Sequence, residues 1–424
     1  MQNTAQAVPE TRLRWGRALD AAAWTVLAAM PLALCFAIRS SAALIAVAAA
    51  LALAGAVVSG RGPQVAARAR AAFTGMPGAL AALFAALAAA SLLWHPFPRL
   101  GLFAIGEGFI PFLAAIVLGL ALGPLDRPAM FRLCAALFAL AAIEVSVELW
   151  TGLAWRHAIG SRTALFVLNK PAICLVVLYW PLLALAEGMA RRALVMGALA
   201  ALMAAAVFKS VSGASMVAFV AAALTFVLAS RLPRLAWALV MAGLFAGLAL
   251  APVKGVLAER FIPDHVLDRL ERVHARERVV IWGDFGAVVK VSPLSGEGFG
   301  VSPRMAETPA AARVPQSRRT LLAVGHPHDM FLQLWVELGA AGVLLAAAAL
   351  GWLAWATRRL PAPRMAPVLA CLAAVTVFAE VGHGAWQGWW VAILGAAAIW
   401  FVRVFAAPEG GAPGAACERP ARGR

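Results

Sequence analysis

Apolar runs long enough to cross a hydrocarbon core of ~30 Å recur along the whole chain. Twelve can be marked, at roughly 20–38, 41–59, 75–94, 101–122, 130–150, 163–187, 193–208, 214–230, 235–251, 329–356, 365–383 and 385–405. The connections are short, except one that runs from about Pro252 to His328. This pattern predicts an all-α polytopic membrane protein of about 12 transmembrane helices. Residues 1–251 carry the first nine spans and 252–328 form a large helical loop. Residues 329–405 carry the last three spans, and 406–424 make a Gly/Pro-rich tail expected to be disordered. No internal repeat stands out.

Composition agrees: 63% of residues are hydrophobic and 13% charged. A soluble chain has no interior large enough to hide that much apolar surface. Cytosolic enzymes, secreted modules and disordered scaffolds are therefore excluded. The formal charge of +16 suggests a nucleic-acid partner only until the cations are placed. With the N-terminus inside, alternate segments on that side hold 19 Lys and Arg, the short outer segments hold five, and the long loop holds 11. Cytoplasmic loops carry this excess. Both termini are thus expected to be cytoplasmic and the long loop outside, with the first span an uncleaved anchor. The five cysteines form no CxxC pair and no Cys/His cluster of metal spacing, and they read as apolar filler.

Charges within spans mark candidate sites. Glu107, Glu144, Glu148 and Lys170 all fall toward the outer half of the membrane, with Arg156, His157 and Arg162 just beyond it. Glu144 and Glu148, four apart, share one helix face and suit either buried ion pairs or a direct role. In the long loop, 265–282 reads as an amphipathic helix, with Arg269, Arg272 and Arg276 on one stripe and Leu267, Leu270 and Val273 on another. It could lie in the headgroup plane and still present Arg276 or Arg278 to a phosphate. A glycine-rich turn follows at Pro293–Gly300. The loop then ends on Gly325-His326-Pro327-His328-Asp329, at the start of the tenth span.

These last elements resemble the O-antigen ligase and polymerase superfamily of bacterial envelope biosynthesis. Its signature, His-Asn-x-Phe-Leu-Gln followed by Glu-Leu-Gly and a further Gly, corresponds to His328-Asp329-Met330-Phe331-Leu332-Gln333, Glu337-Leu338-Gly339 and Gly342. The family also places an Arg four residues before a Trp, then a Pro-Leu-x-Gly-x-Gly-x-Gly turn. Arg278, Trp282 and Pro293–Gly300 match these. Gly160-Ser161-Arg162, Phe166 and Asn169 are a further match. Asp329 stands where Asn is usual. The Ser-Arg-Gly element expected after span seven is replaced by Lys209-Ser210-Val211-Ser212-Gly213, with Lys209 the nearest cation.

The resemblance implies a metal-independent, inverting glycosyltransferase of the GT-C type with no cofactor. Its donor would be a glycan on undecaprenyl diphosphate at the periplasmic face of the bacterial inner membrane. Its acceptor would be the lipid A–core oligosaccharide, and its other partners membrane lipids rather than nucleic acid. A polymerase using the same donor is the near alternative, and a protein O-oligosaccharyltransferase is another. A lipid-linked glycan flippase is the alternative of a different class. A lipid diphosphate needs cations just outside the hydrocarbon, where Arg suits bidentate phosphate contacts. The expected site has His328 as general base and Arg278 as a second catalytic residue. Arg156, Arg162, Lys170, Lys209 and Arg276 are expected at the diphosphate. His326, Asp329, Glu144 and Glu148 are secondary candidates. Direct metal catalysis is not expected: the first outer turn, Ile38-Arg39-Ser40-Ser41, has no acid, and no Asp-x-Asp occurs.

Overall fold

A computed structural model describes residues 9–270 and 274–406; the tail read at 406–424 lies almost wholly outside them. The described residues are helical, with no strand. The helices are α1 (Glu10–Ala28), α2 (Met30–Phe36), α3 (Ser41–Val58), α4 (Gly62–Thr74), α5 (Met76–Ala90), α6 (Pro98–Ala121), α7 (Arg127–Trp150), α8 (Ala154–Ala158), α9 (Asn169–Leu185) and α10 (Arg192–Lys209). They continue as α11 (Gly213–Arg231), α12 (Pro233–Leu250), α13 (Lys254–Phe261), α14 (Asp264–Arg269), α15 (Ala275–Val291), α16 (Pro309–Arg313), α17 (Met330–Arg358), α18 (Ala362–Val381) and α19 (Gly388–Phe405). Among the described residues, eleven helices are long and apolar enough to cross a membrane, or 12 if the bent pair α1–α2 counts as one span. The multi-pass architecture expected from the sequence is thus present.

Helix ends follow local chemistry. Proline sits in the first turn of α2, α4, α5, α6, α7 and α12, where a missing N–H costs nothing. Asp126, Ser212 and Asp329 cap α7, α11 and α17 by accepting from backbone N–H groups. The first span, read at 20–38, begins earlier and bends by 55° at Ala29, just before Pro31.

Helix α9 is the axis of the bundle. Every residue from Pro171 to Leu185 is buried, against α2, α7, α10, α11, α18 and α19. A helix apolar all round belongs in such a position. Outer helices leave large apolar side chains open, such as Ile110 on α6, Leu194 on α10 and Leu224 on α11, as lipid-facing surfaces do.

Alternating helix direction brings together one end of the bundle, here the upper end. There α9, α17 and α19 begin and α7, α10, α12 and α18 finish. At the other end Asp20 pairs with Arg61 and accepts from the Gly123 amide, while Arg403 donates to the Gly123 carbonyl.

The long loop is built around α15. Phe285, Val288, Val301, Met305, Ala310 and Leu322 form a buried cluster that joins Leu332 and Val336 of α17. Two readings of this region change. The apolar rod of α12 runs on through a short 3-10 turn into α13, as far as Phe261. The amphipathic helix expected over 265–282 is two helices. α14 stops at Arg269, and α15 starts after His274, whose φ of +55° takes the chain out of helical geometry. Arg272 and Val273 of that expected helix lie outside the described residues.

Candidate functional site

At the upper end the glycine turn and α17 are joined as one unit. Glu297 and Gly298 donate backbone hydrogen bonds to the carbonyls of Val336 and Glu337, at 2.8 and 2.9 Å. Ala340 and Ala341 donate back to Pro293 and Leu294. The exchange is possible because Gly339, at φ +59° and ψ −157°, interrupts the helix. A side chain at Gly296 would strike the Glu337 backbone, and one at Gly298 the His95 ring.

The Glu337 carboxylate is fully buried. It accepts from the Gly300 amide at 2.6 Å, the Ser302 hydroxyl at 2.6 Å, the Gln333 amide at 2.9 Å and the Trp386 indole at 2.6 Å. Gln333 in turn accepts from the Ala385 amide. The Glu-Leu-Gly motif therefore anchors the glycine turn and the loop before α19 to α17.

That scaffold carries three histidines. His326 and His328 come from the end of the long loop and His383 from the 382–387 loop between α18 and α19. The rings of His326 and His328 are 4.2 Å apart. His328 adopts φ +53°, an uncommon backbone state for a non-glycine residue. Its Nδ1 lies 3.0 Å from the Gly382 carbonyl oxygen, which can only accept. In neutral His328 the proton therefore sits on Nδ1, and Nε2 keeps its lone pair. His326 is the opposite tautomer, since its Nδ1 accepts from the His328 amide at 3.2 Å. Burial holds all three imidazoles below their ordinary value, to about 3 for His326 and about 4 for His383. For His326 the neighbouring His328 and His383 add to this effect. The Arg278 charge lowers all three.

Arg278 itself projects from the first turn of α15 and is half-buried, and burial lowers its own pKa. Among the described residues no carboxylate or hydrogen-bond acceptor engages its guanidinium. A fixed cation in this setting is open to an anion from outside the chain.

Beside the histidines lies a cavity of about 580 Å³. Its wall includes Arg39, Glu107, Lys170, His326, Gln333 and Trp389. The Lys170 ammonium rests 4.8 Å from the centre of the Trp389 ring. Neither Arg39 nor Lys170 has an ion-pair partner among the described residues.

The remaining expected residues are placed differently. Arg156 is buried, 3.5 Å from the Glu148 carboxylate and bonded to the Cys35 carbonyl. Glu148 also accepts from the Trp155 and Arg156 amides, so this pair folds the α7–α8 turn. Arg276 is exposed and held by Asp264 at 3.0 Å and Asp268 at 2.7 Å, tying α14 to α15. Arg162 and Lys209 are exposed, stacked on Phe166 and Trp150. Glu144 is half-buried in α7. The oxygens of Asp329 go to the Leu332 amide and the Lys254 ammonium.

Sequence reading passed over His383, Arg39, Lys254 and Glu380. His383 carried one signal, a histidine between two glycines at the upper end of a span. Among the described residues no group of His, Cys, Asp and Glu is arranged to hold a metal ion.

Compared with known proteins, residues 198–347 match the family described as O-antigen ligase. The match runs from within α10 into α17, and takes in Arg278, the glycine turn, His326, His328 and Glu337. No curated protein and no solved structure matches the chain.

Proposed function

We propose that this chain, which carries an O-antigen ligase family domain at residues 198–347, transfers a glycan from undecaprenyl diphosphate to the lipid A–core oligosaccharide. The reaction takes place at the upper end of the bundle, facing the periplasm, with both termini in the cytoplasm. The observation that carries this reading is that His328 and Arg278 stand at one site, close enough for the arginine charge to act on the imidazole. One offers a neutral imidazole with a free Nε2, and the other a half-buried cation with no anion partner among the described residues.

The chemistry follows from these two groups. The acceptor hydroxyl gives its proton to Nε2 of His328, and its oxygen forms a bond to the anomeric carbon. The bond from that carbon to the diphosphate oxygen breaks on the opposite face, so configuration inverts. The lipid diphosphate leaves with the electron pair, and its charge develops against Arg278. A positioned base of this kind contributes about 10²–10⁴-fold, and a preorganised cation stabilises the departing charge without reorganisation. Lys170 and Arg39 add positive potential in the adjoining cavity, which is walled for a sugar by Trp389, Gln333 and Glu107. Arg156 and Arg276 are neutralised by protein carboxylates and are left out of the diphosphate site.

The test is transfer in proteoliposomes from a lipid-linked glycan, with and without lipid A–core. Product that requires lipid A–core supports the ligase. Longer lipid-linked chains formed without it would make the protein a polymerase and overturn this acceptor.

A further inference from the structure

Lys254 opens α13, one short 3-10 turn beyond α12, and nothing in the reaction above uses it. Its ammonium meets the carboxylates of Asp329, at 2.5 Å, and of Glu380, and it donates to the Glu380 carbonyl at 3.1 Å. It also lies 4.7 Å from the centre of the Trp282 ring. Each contact is one step from a group of the proposed site. Asp329 follows His328 in the chain. Glu380 is two residues before Gly382, whose carbonyl fixes the His328 tautomer, and three before His383. Trp282 stands one helical turn beyond Arg278 on α15.

We infer that Lys254 is a positioning residue: it clamps the start of α17, the end of α18 and α15 so that His328, Gly382 and Arg278 keep one geometry. This rests on the reading of His328 as the base.

Three features support a clamp rather than a surface ion pair. The site is enclosed: the Asp329 side chain has no exposure, and those of Lys254 and Glu380 have 20% and 21%. Breaking a buried pair leaves an uncompensated charge, which ties the three elements strongly. Second, room for Glu380 is made by Gly247 on α12, where a Cβ would collide with the carboxylate. Third, His328 sits in the left-handed backbone region, a state that persists only where its surroundings hold it. Asp329, the next residue, is held at both oxygens, by Lys254 and by the Leu332 amide. The acid at position 329, where the resembled family has Asn, thus gains a role as the anchor for this cation.

The experiment compares full-length wild type, Lys254→Met, Lys254→Arg and Gly247→Ala in proteoliposomes. Folding is checked by gel filtration in detergent. Two quantities are read: kcat and KM for the lipid-linked donor, and the ring tautomer of His328 by ¹⁵N NMR of histidine-labelled protein, assigned with His328→Gln. Lys254→Met and Gly247→Ala are expected to lower kcat about 10–100-fold with KM little changed, and to weaken the preference for the Nδ1–H tautomer. Lys254→Arg should recover most of both.

Unchanged kcat and an unchanged tautomer in folded Lys254→Met overturn the clamp while leaving the ligase reading intact. A wild type that transfers no glycan, with the tautomer still lost in Lys254→Met, removes the reaction and keeps the clamp. If Lys254→Met does not fold, Gly247→Ala decides, because it keeps every charge and presses its methyl on the Glu380 carboxylate and the edge of the Phe331 ring. If neither folds, Lys254 serves folding alone and the proposal falls.

Discussion

The amide of Gly300 donates a 2.6 Å hydrogen bond to the carboxylate of Glu337, which lies 37 positions further along the chain. Two motifs that look separate in sequence are thus a donor and an acceptor in one buried joint. Glu337 has four kinds of donor and only two oxygens to offer them, so its acceptor-only character is what the site needs.

Glu337→Gln keeps the volume but places an NH2 against N–H and O–H donors. Leaving buried donors unsatisfied costs about 2–4 kcal/mol. The purified variant should melt at a clearly lower temperature and lose transfer along with its fold. An unchanged melting curve would show that the joint contributes nothing.

Arg278 should behave in the opposite way, because it has no partner to lose among the described residues. Arg278→Ala is expected to cut transfer at least 100-fold, about the loss seen when one preorganised donor to a developing anion is removed, with no fall in melting temperature. Arg278→Lys keeps the charge but not the planar fork, and should retain only part of the activity. Destabilisation on the scale of Glu337→Gln would mark Arg278 as structural.

Arg276 stands two residues away and separates the sequence expectation from the structural one. Its fork is occupied by Asp264 and Asp268 at an exposed surface. Exposed pairs of this kind contribute little, so Arg276→Ala should transfer within about fivefold of wild type. Loss as deep as that of Arg278→Ala would return Arg276 to the diphosphate site.

The histidines set a pH signature. Their ordinary value is 6.5, and burial lowers all three in the folded chain, to about 4 for His383 and about 3 for His326. As pH falls below 6.5, the unfolded chain takes up protons that the folded chain refuses. Stability is therefore full above about pH 6.5 and declines as pH drops toward 4. His328 stays neutral to lower pH than a free imidazole, so the acid limb of kcat/KM should lie below pH 6.5. An acid limb at or above 6.5 would count against His328 as the base.

Apolar run length placed nearly every span, because the hydrocarbon core imposes the same ~30 Å demand on each crossing. It did not show the bend at Ala29 or the break at His274. Each depends on one or two dihedral angles that no periodicity records. His328 and Arg278 stood out as candidates because they sit within short motifs. Glu337 was visible as a motif letter but not as a hub, since its donors come from Gly300, Ser302, Gln333 and Trp386. Lys254 was hidden for a plainer reason. It was one of 11 cations in the loop, and its partner Glu380 lies 126 residues away. Sequence spacing could not rank Arg276 against its neighbours: a stripe of arginines says nothing about which of them a nearby aspartate has already engaged.

The interruption of α17 at Gly339 also has a mechanical effect. Helical hydrogen bonding does not run unbroken from the bilayer to His328. Above the break, residues 330–338 are fastened to the glycine turn and to the loop before α19. Below it, the long apolar arm runs on to Arg358. A bilayer that thickens or thins makes a span change its tilt to match. Gly339 is where such a tilt would be taken up, leaving the short arm under His328 in its orientation as membrane composition changes.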